Sequence, residues 1–232
     1  MIKIGITERG DAGTDFSWMK KHKNYDGIIL ITKCLSHRFI DSIVDLNLNC
    51  IVHATITGLG STVYEPYIPS FDTSRILFEE LIDRIGIERV VLRIDPIIPS
   101  DRGAAIAIHV YQQLYIDFLK KTRVRISFLD NYPHVKKRFK DAGLEPLYYY
   151  FHAPIELRKK IASYFPDAEI CGEPGFDCTG CISEKDLKIL GIEADVIIGG
   201  WQRKECKCLT YKIEMLDKKE QCQNRCLYCY WK

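Results

Sequence analysis

Short apolar runs rich in β-branched residues alternate along the chain with stretches whose apolar residues recur at helical spacing. Strand–helix alternation, with strands that are apolar on both faces, predicts a parallel sheet covered by helices and hence a complete or partial α/β barrel. The predicted strands are IKIGIT from Ile2, GIILIT from Gly27, CIVHATIT from Cys50, VVLRID from Val90, VRISFLD from Val124 and LYYYF from Leu147. Helical spacing is clearest at Ile76, Leu77, Leu81, Ile82 and Ile85, and at Ile106, Val110, Leu114 and Phe118.

Polar side chains gather where the predicted strands end. In a parallel α/β barrel the carboxyl ends of the strands form the mouth at which chemistry takes place. Several polar residues at one mouth would form a site, although a single polar strand end is equally typical of a solvated loop or a helix cap. The polar strand ends are Glu8, Arg9 and Asp11; Thr32 and Lys33; Thr55 and Thr57; Arg93 and Asp95; Ser127 and Asp130; and His152.

The chain has ten cysteines, and eight of them lie in the last quarter of the sequence. A disulfide framework suits a small secreted domain with a poor core, whereas 232 residues suffice to bury a sizeable core. The N-terminal MIKIGITERG is typical of a strand rather than a signal peptide, and no apolar run reaches the ~20 residues of a membrane span. We therefore expect a cytoplasmic protein whose clustered thiols bind metal.

The C-terminal cysteine motif, Cys222-Gln-Asn-Arg-Cys226-Leu-Tyr-Cys229, has gaps of three and two residues. Thiolates are the usual ligands of iron–sulfur clusters, and three of them would leave one iron of a four-iron cluster open. Zinc is the alternative, because similar spacings occur in structural zinc sites, where Cys206 or Cys208 would be the fourth ligand. The three-then-two spacing, with an aromatic residue before the last cysteine, favours the open cluster.

This motif resembles the Cys-x-x-x-Cys-x-Tyr-Cys signature of the radical S-adenosylmethionine (SAM) superfamily, and its last residues resemble the spore photoproduct lyase branch. Upstream segments are similar to that branch too: ILITK up to Lys33, ATITGLGSTVYEP from Ala54 and LRIDPIIPSD from Leu92. In that branch the cysteine motif precedes these strands, whereas here it follows them. The resemblance implies an α/β fold, a partial (βα) barrel of the radical SAM type, permuted so that the cluster loop is C-terminal.

A family of bacterial proteins known only as a domain of unknown function resembles the chain over most of its length. The shared segments are 9–11, 32–33, 93–96, 127–130, 202–208 and the terminal motif. This sequence differs in having Thr7 and Glu8 before Arg9, Trp231 in place of a small residue, and an additional thiol, Cys178. The resemblance implies one radical SAM-like domain over 1–232, with a cysteine-rich, cluster-binding region at 168–232.

The resemblance also implies a function. Cys222, Cys226 and Cys229 would bind a four-iron four-sulfur cluster whose open iron chelates SAM. Reduction by a protein such as a flavodoxin or ferredoxin would cleave SAM to methionine and a 5′-deoxyadenosyl radical, which abstracts hydrogen from a substrate. The implied cofactor-binding residues are Lys33, Thr55, Thr57, Arg93 and Tyr228, and the candidate catalytic carboxylates are Asp95 and Asp130.

Each implied role has a structural alternative. Lys33 matches a lysine that holds the SAM carboxylate by a charge-assisted contact, but a surface lysine at a helix start gives the same pattern. Thr55 or Thr57 would bond the methionine moiety and Tyr228 would lie near the adenine; otherwise the threonines are ordinary β-formers and the tyrosine packs the loop. Arg93 and Asp95 would either form a structural ion pair or bind a ligand.

Four more thiols match the resembling family and would close a second iron–sulfur cluster: Cys171, Cys181, Cys206 and Cys208. Cys178, within Cys178-Thr-Gly-Cys181, is an alternative ligand. The same thiols would also suit a closed zinc site or be inert core residues.

Between positions 120 and 160, basic residues outnumber acidic ones beside a run of aromatic residues. This pattern would suit a nucleic-acid surface; solvated helix faces around a buried aromatic strand are the alternative. A zinc-stabilised nucleic-acid-binding module or an iron–sulfur electron carrier would use the same cysteines, but neither explains the polar strand ends. The substrate is open among nucleic acids, nucleotides, peptides and metabolites. The residues concerned are Lys120, Lys121, Arg123, Arg125, Lys136, Lys137, Arg138, Lys140, Arg158, Lys159 and Lys160, with Asp130, Asp141, Glu145 and Glu156, and the run from Tyr148 to Phe151.

Overall fold

The computed structural model describes residues 2–116, 122–144, 148–199, 203–217 and 220–232. Its centre is a curled, all-parallel seven-stranded sheet that forms a half-barrel, with strand order β6-β5-β4-β3-β2-β1-β7. The strands are β1 (Ile4–Ile6), β2 (Gly27–Thr32), β3 (Cys50–Thr55), β4 (Val90–Ile97), β5 (Arg123–Phe128), β6 (Glu169–Ile170) and β7 (Lys212–Glu214). The helices are α1 (Trp18–Lys21), α2 (His37–Asp45), α3 (Phe71–Ile85), α4 (Asp101–Tyr111), α5 (Pro133–Asp141), α6 (Ile155–Ala162) and α7 (Glu184–Leu190). The predicted α/β class is confirmed.

Five of the six predicted strands coincide with β1 to β5, and the sixth is wrong. Residues 148–151 of the predicted LYYYF strand form bends, and Leu147 lies outside the described residues. The Asn131 side chain supplies hydrogen bonds that a neighbouring strand would otherwise make to this segment. Its Nδ2 donates to the carbonyl of Tyr148 at 2.7 Å and to that of Tyr150 at 3.3 Å. Tyr149 is 86% exposed, so the predicted buried aromatic strand is absent from these positions.

Helices cover the convex face of the sheet. Alternate strand residues such as Val52, Leu92 and Ile126 pack there against Phe39 of α2 and Phe78 of α3. Serines begin α2, α3 and α4: the hydroxyls of Ser36, Ser70 and Ser100 accept the backbone N–H groups of Phe39, Thr73 and Gly103. Such caps satisfy donors that a helix start leaves open. They fix where each helix begins after the preceding strand. Of the second helical pattern, Phe118 lies outside the described residues.

Residues of the cysteine-rich region between Cys181 and Leu209, called the plug below, fill the concave face. Ile4, Ile29, Ile51 and Val91 line that face and pack against Cys181, Ile182, Leu187, Leu190, Cys208 and Leu209. A capping box between Ser183 and Asp186 starts α7 within this plug. After it the chain adds β7 alongside β1, in parallel, with Ile4 opposite Lys212. The end of the sequence is thereby joined to its beginning.

The C-terminal cysteine loop lies across the carboxyl ends of the strands. Cys226 and Tyr228 pack in a third apolar cluster with Leu59, Leu129 and Phe139. The Leu227 N–H donates to the Tyr64 carbonyl at 2.9 Å, and Arg138 donates to the carbonyls of Cys229 and Trp231 at 2.7 and 2.9 Å. Among the described residues, no helix combines the length and apolar character needed to cross a membrane.

Candidate active site

A cavity of about 230 Å³ lies at the carboxyl ends of the strands. Nine of the twelve polar strand-end residues line it, which confirms that these ends meet. They are Glu8, Asp11, Thr32, Lys33, Thr55, Arg93, Asp95, Ser127 and Asp130. Arg9, Thr57 and His152 are not part of the lining. His152 instead pairs through Nδ1 with Asp130 Oδ1 at 2.8 Å, behind the cavity wall.

The first thiol set, Cys222, Cys226 and Cys229, lines the same cavity. Two turns bend the loop, with Arg225 N–H donating to the Cys222 carbonyl and Cys229 N–H donating to the Cys226 carbonyl, each at 3.1 Å. Burial raises the pKa of Cys226, and the charges of Glu65, Cys222 and Cys229 raise it further while Lys33 lowers it. Three soft donors that line one cavity fit a thiolate-bound cluster.

Asp11 ties the cysteine loop to the first two strands. Its Oδ1 accepts from the Thr32 hydroxyl at 2.6 Å and from Gly13 N–H at 2.9 Å. Its Oδ2 accepts from Lys33 N–H at 2.8 Å and from Asn224 Nδ2 at 2.9 Å. Asn224 is within the cysteine motif, 213 residues away in sequence. Burial raises the pKa of Asp11, although these donors oppose the rise.

Lys33 sits between three groups. Its Nζ donates to the Asp95 carbonyl at 2.5 Å, pairs with Glu65 Oε1 at 3.3 Å and lies 5.2 Å from the centre of the Tyr228 ring. Glu65 is 1% exposed and also accepts from the Tyr228 hydroxyl. Thr57 donates to Glu65 Oε2 at 2.8 Å. The Thr57 hydroxyl is therefore directed at Glu65, whereas buried Thr55 lines the cavity.

Two carboxylates, half-buried Asp95 and buried Asp130, line the cavity together with Lys33. Asp95 pairs with Arg93 and accepts from the Ser127 hydroxyl; the predicted ion-pair alternative is thus present. Burial would raise the pKa of Asp95, but Arg93 and Lys33 hold it below its usual value. Asp130 pairs with Arg203 at 2.8 Å. Arg203 was not among the predicted site residues.

The second thiol set, Cys171, Cys181, Cys206 and Cys208, lies at the base of the cavity. Cys171 and Cys181 sulfurs are 3.6 Å apart, and the Cys181 N–H donates to the Cys208 sulfur at 3.1 Å. Cys206 lines the cavity together with Cys171 and Cys181. Ligand atoms of Glu8, Cys181 and Cys208 lie within 4.8 Å of one another, close enough to share a metal ion. No disulfide joins any of the ten cysteines, all of which are described.

Cys178 lies apart from both sets. Its sulfur accepts from the Glu173 N–H at 3.2 Å and donates to the Glu173 carbonyl at 3.3 Å, and it does not line the cavity. Hydrogen bonds with Cys171 and Cys208 lower the pKa of Cys181 well below its usual value, against the effect of burial. A thiolate is thereby favoured at Cys181. Burial and the charge of Cys181 raise the pKa of Glu8 to about 7.

Glu65, Asn224 and Arg203 are among the site residues that sequence reasoning missed. Glu65 and Arg203 fall in segments that carry the family resemblance, and Asn224 falls inside the cysteine motif. None of them has a spacing that indicates a chemical role. Their partners are distant in sequence, so only the folded chain identifies them.

Three of the basic residues that the sequence assigned to a surface are buried in the structure. Arg123, Arg125 and Arg158 are buried and pair with Glu169, Asp186 and Glu173, so they are absent from the surface. Lys137, Lys140, Lys159 and Lys160 are exposed. The predicted participants Lys120, Lys121 and Glu145 lie outside the described residues, as does Gln202 of the resembling 202–208 segment.

Comparison with curated proteins finds no match to this chain. The family model described as Domain of unknown function (DUF1848) matches residues 16–231, which is most of the 232-residue chain. The resemblance to a domain-of-unknown-function family is thus confirmed. On this match, the chain belongs to the DUF1848 family.

Proposed function

We propose that this chain is a radical SAM enzyme with a permuted partial barrel, in which the first thiol set holds a four-iron four-sulfur cluster. The observation that carries the proposal is the shared cavity. Three thiols in a three-then-two motif and the polar ends of five strands line one space. A structural zinc site or a simple electron carrier would have no use for the strand ends. When bound, the cluster and SAM would supply reductive C–S cleavage and hydrogen abstraction.

The chain's own residues would bind and orient SAM. Lys33 has three N–H donors; one donates to the Asp95 carbonyl and Glu65 accepts from the same ammonium group, which leaves a donor for the SAM carboxylate. Glu65 would keep Lys33 and Tyr228 in place, because it contacts both. Thr55 would offer a hydroxyl to the methionine moiety.

Asp95 and Asp130 would act on the substrate side of the cavity. Asp95 is held ionised by Arg93 and Lys33, so it suits orientation of a substrate rather than proton donation. Asp130, fixed between His152 and Arg203, offers a second charged pair at the same wall. Tyr132, Tyr230 and Trp231 also line the cavity and would limit the access of water to a reactive substrate.

Substitution of Lys33 by methionine is expected to weaken SAM binding by about 10- to 100-fold, since a hydrogen bond to a charged group contributes about 1.5–3 kcal/mol. Anaerobic calorimetry with cluster-loaded protein would measure the dissociation constant. Lys188→Met is the control, because Lys188 is 74% exposed and pairs with Glu184 one helical turn away on the surface. Equal affinity in the two variants would contradict the role of Lys33.

We further propose a second iron–sulfur cluster at the second thiol set. Replacing Cys206 and Cys208 together by alanine is expected to lower iron and sulfide by about half, because one of two clusters loses its ligands. SAM cleavage at the first set would persist. Cys178→Ala, outside both sets, serves as the thiol control. Unchanged iron and sulfide in the double variant would refute the second cluster.

The test of the main proposal is anaerobic reconstitution with iron and sulfide, followed by addition of dithionite and SAM. The expected product is 5′-deoxyadenosine, measured by liquid chromatography with mass detection. Protein that takes up zinc in preference to iron would contradict the proposal. A stable iron–sulfur protein that yields no 5′-deoxyadenosine, with or without cell extract as a source of substrate, would favour an electron carrier instead.

A further inference from the structure

Two arginines, buried Arg125 and half-buried Arg93, lie beside the second thiol set and have buried N–H groups without acceptors. Arg125 is 0% exposed, and only its Nη2 has an acceptor, Glu169 at 2.5 Å. Within the part of the chain that the structure describes, Arg125 Nε and Nη1 and Arg93 Nε have no hydrogen-bond partner. A buried guanidinium with unpaired donors is costly. Its persistence in a folded protein points to acceptors that occupy the site.

The sheet directs both arginines at the thiols. Arg93 and Arg125 are opposite each other on β4 and β5, and their neighbours in sequence, such as Leu92 and Ile126, pack on the convex face. The arginines therefore point to the concave face, since strand side chains alternate. Cys171 N–H donates to the Ile126 carbonyl at 3.1 Å, which brings the first thiol of the set to the adjacent strand.

The plug closes over these cations from the other side. Asp186 of α7 accepts from Arg123 Nη1 at 2.6 Å. The segment that begins at Cys181 therefore packs on the face of the sheet that carries Arg123 and Arg125. Burial lowers the pKa of Arg125, but Cys181 and Glu169 raise it above its usual value. His53, buried at the same level, adds no charge, because burial and Arg125 hold its pKa well below the usual value.

Charged side chains lie near both thiol sets. Lys33 and Glu65 lie near Cys226, and Lys33 and Arg138 lie near Cys229. Around the second set, Arg93 and Arg125 lie near Cys181, and Lys212 lies near Cys208. Each of these three cations has an acidic partner, Asp95, Glu169 and Glu8 respectively. What distinguishes the second set is the pair of Arg125 N–H donors that no described residue accepts.

We propose that Arg125, with Arg93 and Lys212, raises the reduction potential of a metal–sulfur centre at the second thiol set. One-electron reduction adds a negative charge to a cluster, and nearby cations and N–H donors to its sulfurs stabilise that charge. The electron comes from an external reductant or from the first centre, no bond breaks, and the arginines keep their protons. This inference rests on the proposed function, because it takes both centres to be iron–sulfur clusters.

The test isolates the second centre in full-length Cys226→Ala protein, reconstituted without oxygen. Redox titration followed by electron paramagnetic resonance would measure its midpoint potential. Arg125→Met in this background is expected to lower the equilibrium constant for reduction at least tenfold, which is about 59 mV. Arg125→Lys keeps the charge and is expected to shift the potential less. Arg75→Met is the matched control, because Arg75 is 43% exposed and pairs with Glu79 on the surface.

Two results would overturn the inference. The first is an unchanged midpoint potential in folded, iron-loaded Arg125→Met protein. The second is the absence of any iron–sulfur signal in the Cys226→Ala background; the wild-type assay for 5′-deoxyadenosine reports on the first centre separately. If Arg125→Met does not fold, Lys212→Met decides by the direction of its shift: a lower potential supports the inference, and an unchanged one refutes it.

Discussion

Replacing Cys226 by alanine is expected to abolish 5′-deoxyadenosine formation, whereas replacing Cys178 is expected to leave it close to the wild-type level. Cys226 is the middle thiol of the first set and is 5% exposed at the cavity wall. Without it, two thiols remain for the cluster that SAM must chelate, so the cluster is lost or binds without its open iron in position. The loss of product would be complete rather than partial.

Cys178→Ala is the matched control for Cys226→Ala. It is another buried thiol of the same region, but its sulfur bonds to the Glu173 backbone and is absent from the cavity lining. Both variants would be compared at equal protein concentration, with iron, sulfide and circular dichroism measured on the same samples. Product formation in Cys226→Ala protein above the level without SAM would contradict the proposed role of the first thiol set. Equal loss in Cys178→Ala would show a structural effect instead.

Substitution of Asp11 by alanine is expected to lower the free energy of unfolding by about 3–5 kcal/mol, since donors buried without an acceptor each cost about 1–3 kcal/mol and some would regain water. Asp11 is 4% exposed and accepts from four donors. One of them, Asn224, belongs to the cysteine loop. The loop would therefore lose its hydrogen bond to Asp11 in addition to the general destabilisation.

Urea unfolding of the metal-free, reduced protein, followed by circular dichroism, would measure the change. Asp141→Ala is the control, because Asp141 is 58% exposed in an i,i+4 pair with Lys137 and surface pairs contribute about 0–1 kcal/mol. Asn224→Ala removes one of the four donors and should fall between the two. An Asp11→Ala protein as stable as Asp141→Ala would mean that the four hydrogen bonds contribute little to the folded state.

The cavity explains why polar residues spread over the whole chain belong together. Lys33, Arg93 and Ser127 come from three strands, and Cys171 and Cys226 come from the cysteine-rich region. Parallel strands bring their carboxyl ends to one edge, so that polar ends separated by dozens of residues become neighbours. The same geometry lets one space hold both thiol sets. Proximity of this kind is what the proposed chemistry requires.

The short outer strands and the aromatic run mark the limits of sequence patterns. β6 has two residues and β7 has three, too few to show a period of two. Residues 148–151 have strand-like composition, but Asn131 donates to the carbonyls of Tyr148 and Tyr150. The rings of Tyr149, Tyr150 and Phe151 are exposed. Composition measures the preference of a segment for a pleated surface; it does not show whether a partner strand is within reach.

The basic residues show that a count of charges in the sequence does not predict which of them lie on the surface. Arg123 and Arg125 counted toward a surface in the sequence, yet the pleat turns them into the concave face, where Glu169 and Asp186 meet them. Sequence counts of charge therefore say little about a surface until strand faces are known.

By itself, the sequence determined the α/β class, the first five strands and the grouping of thiols, because periodicity and spacing are local properties that need no partner. Only the tertiary structure decided that both thiol sets share a cavity, that Glu65 holds Lys33 and Tyr228, and that Asp11 reaches Asn224 across 213 residues. Such contacts arise when burial of apolar faces closes the half-barrel around its C-terminal plug. Which distant side chains then meet depends on strand order and register, and neither is written in any single segment.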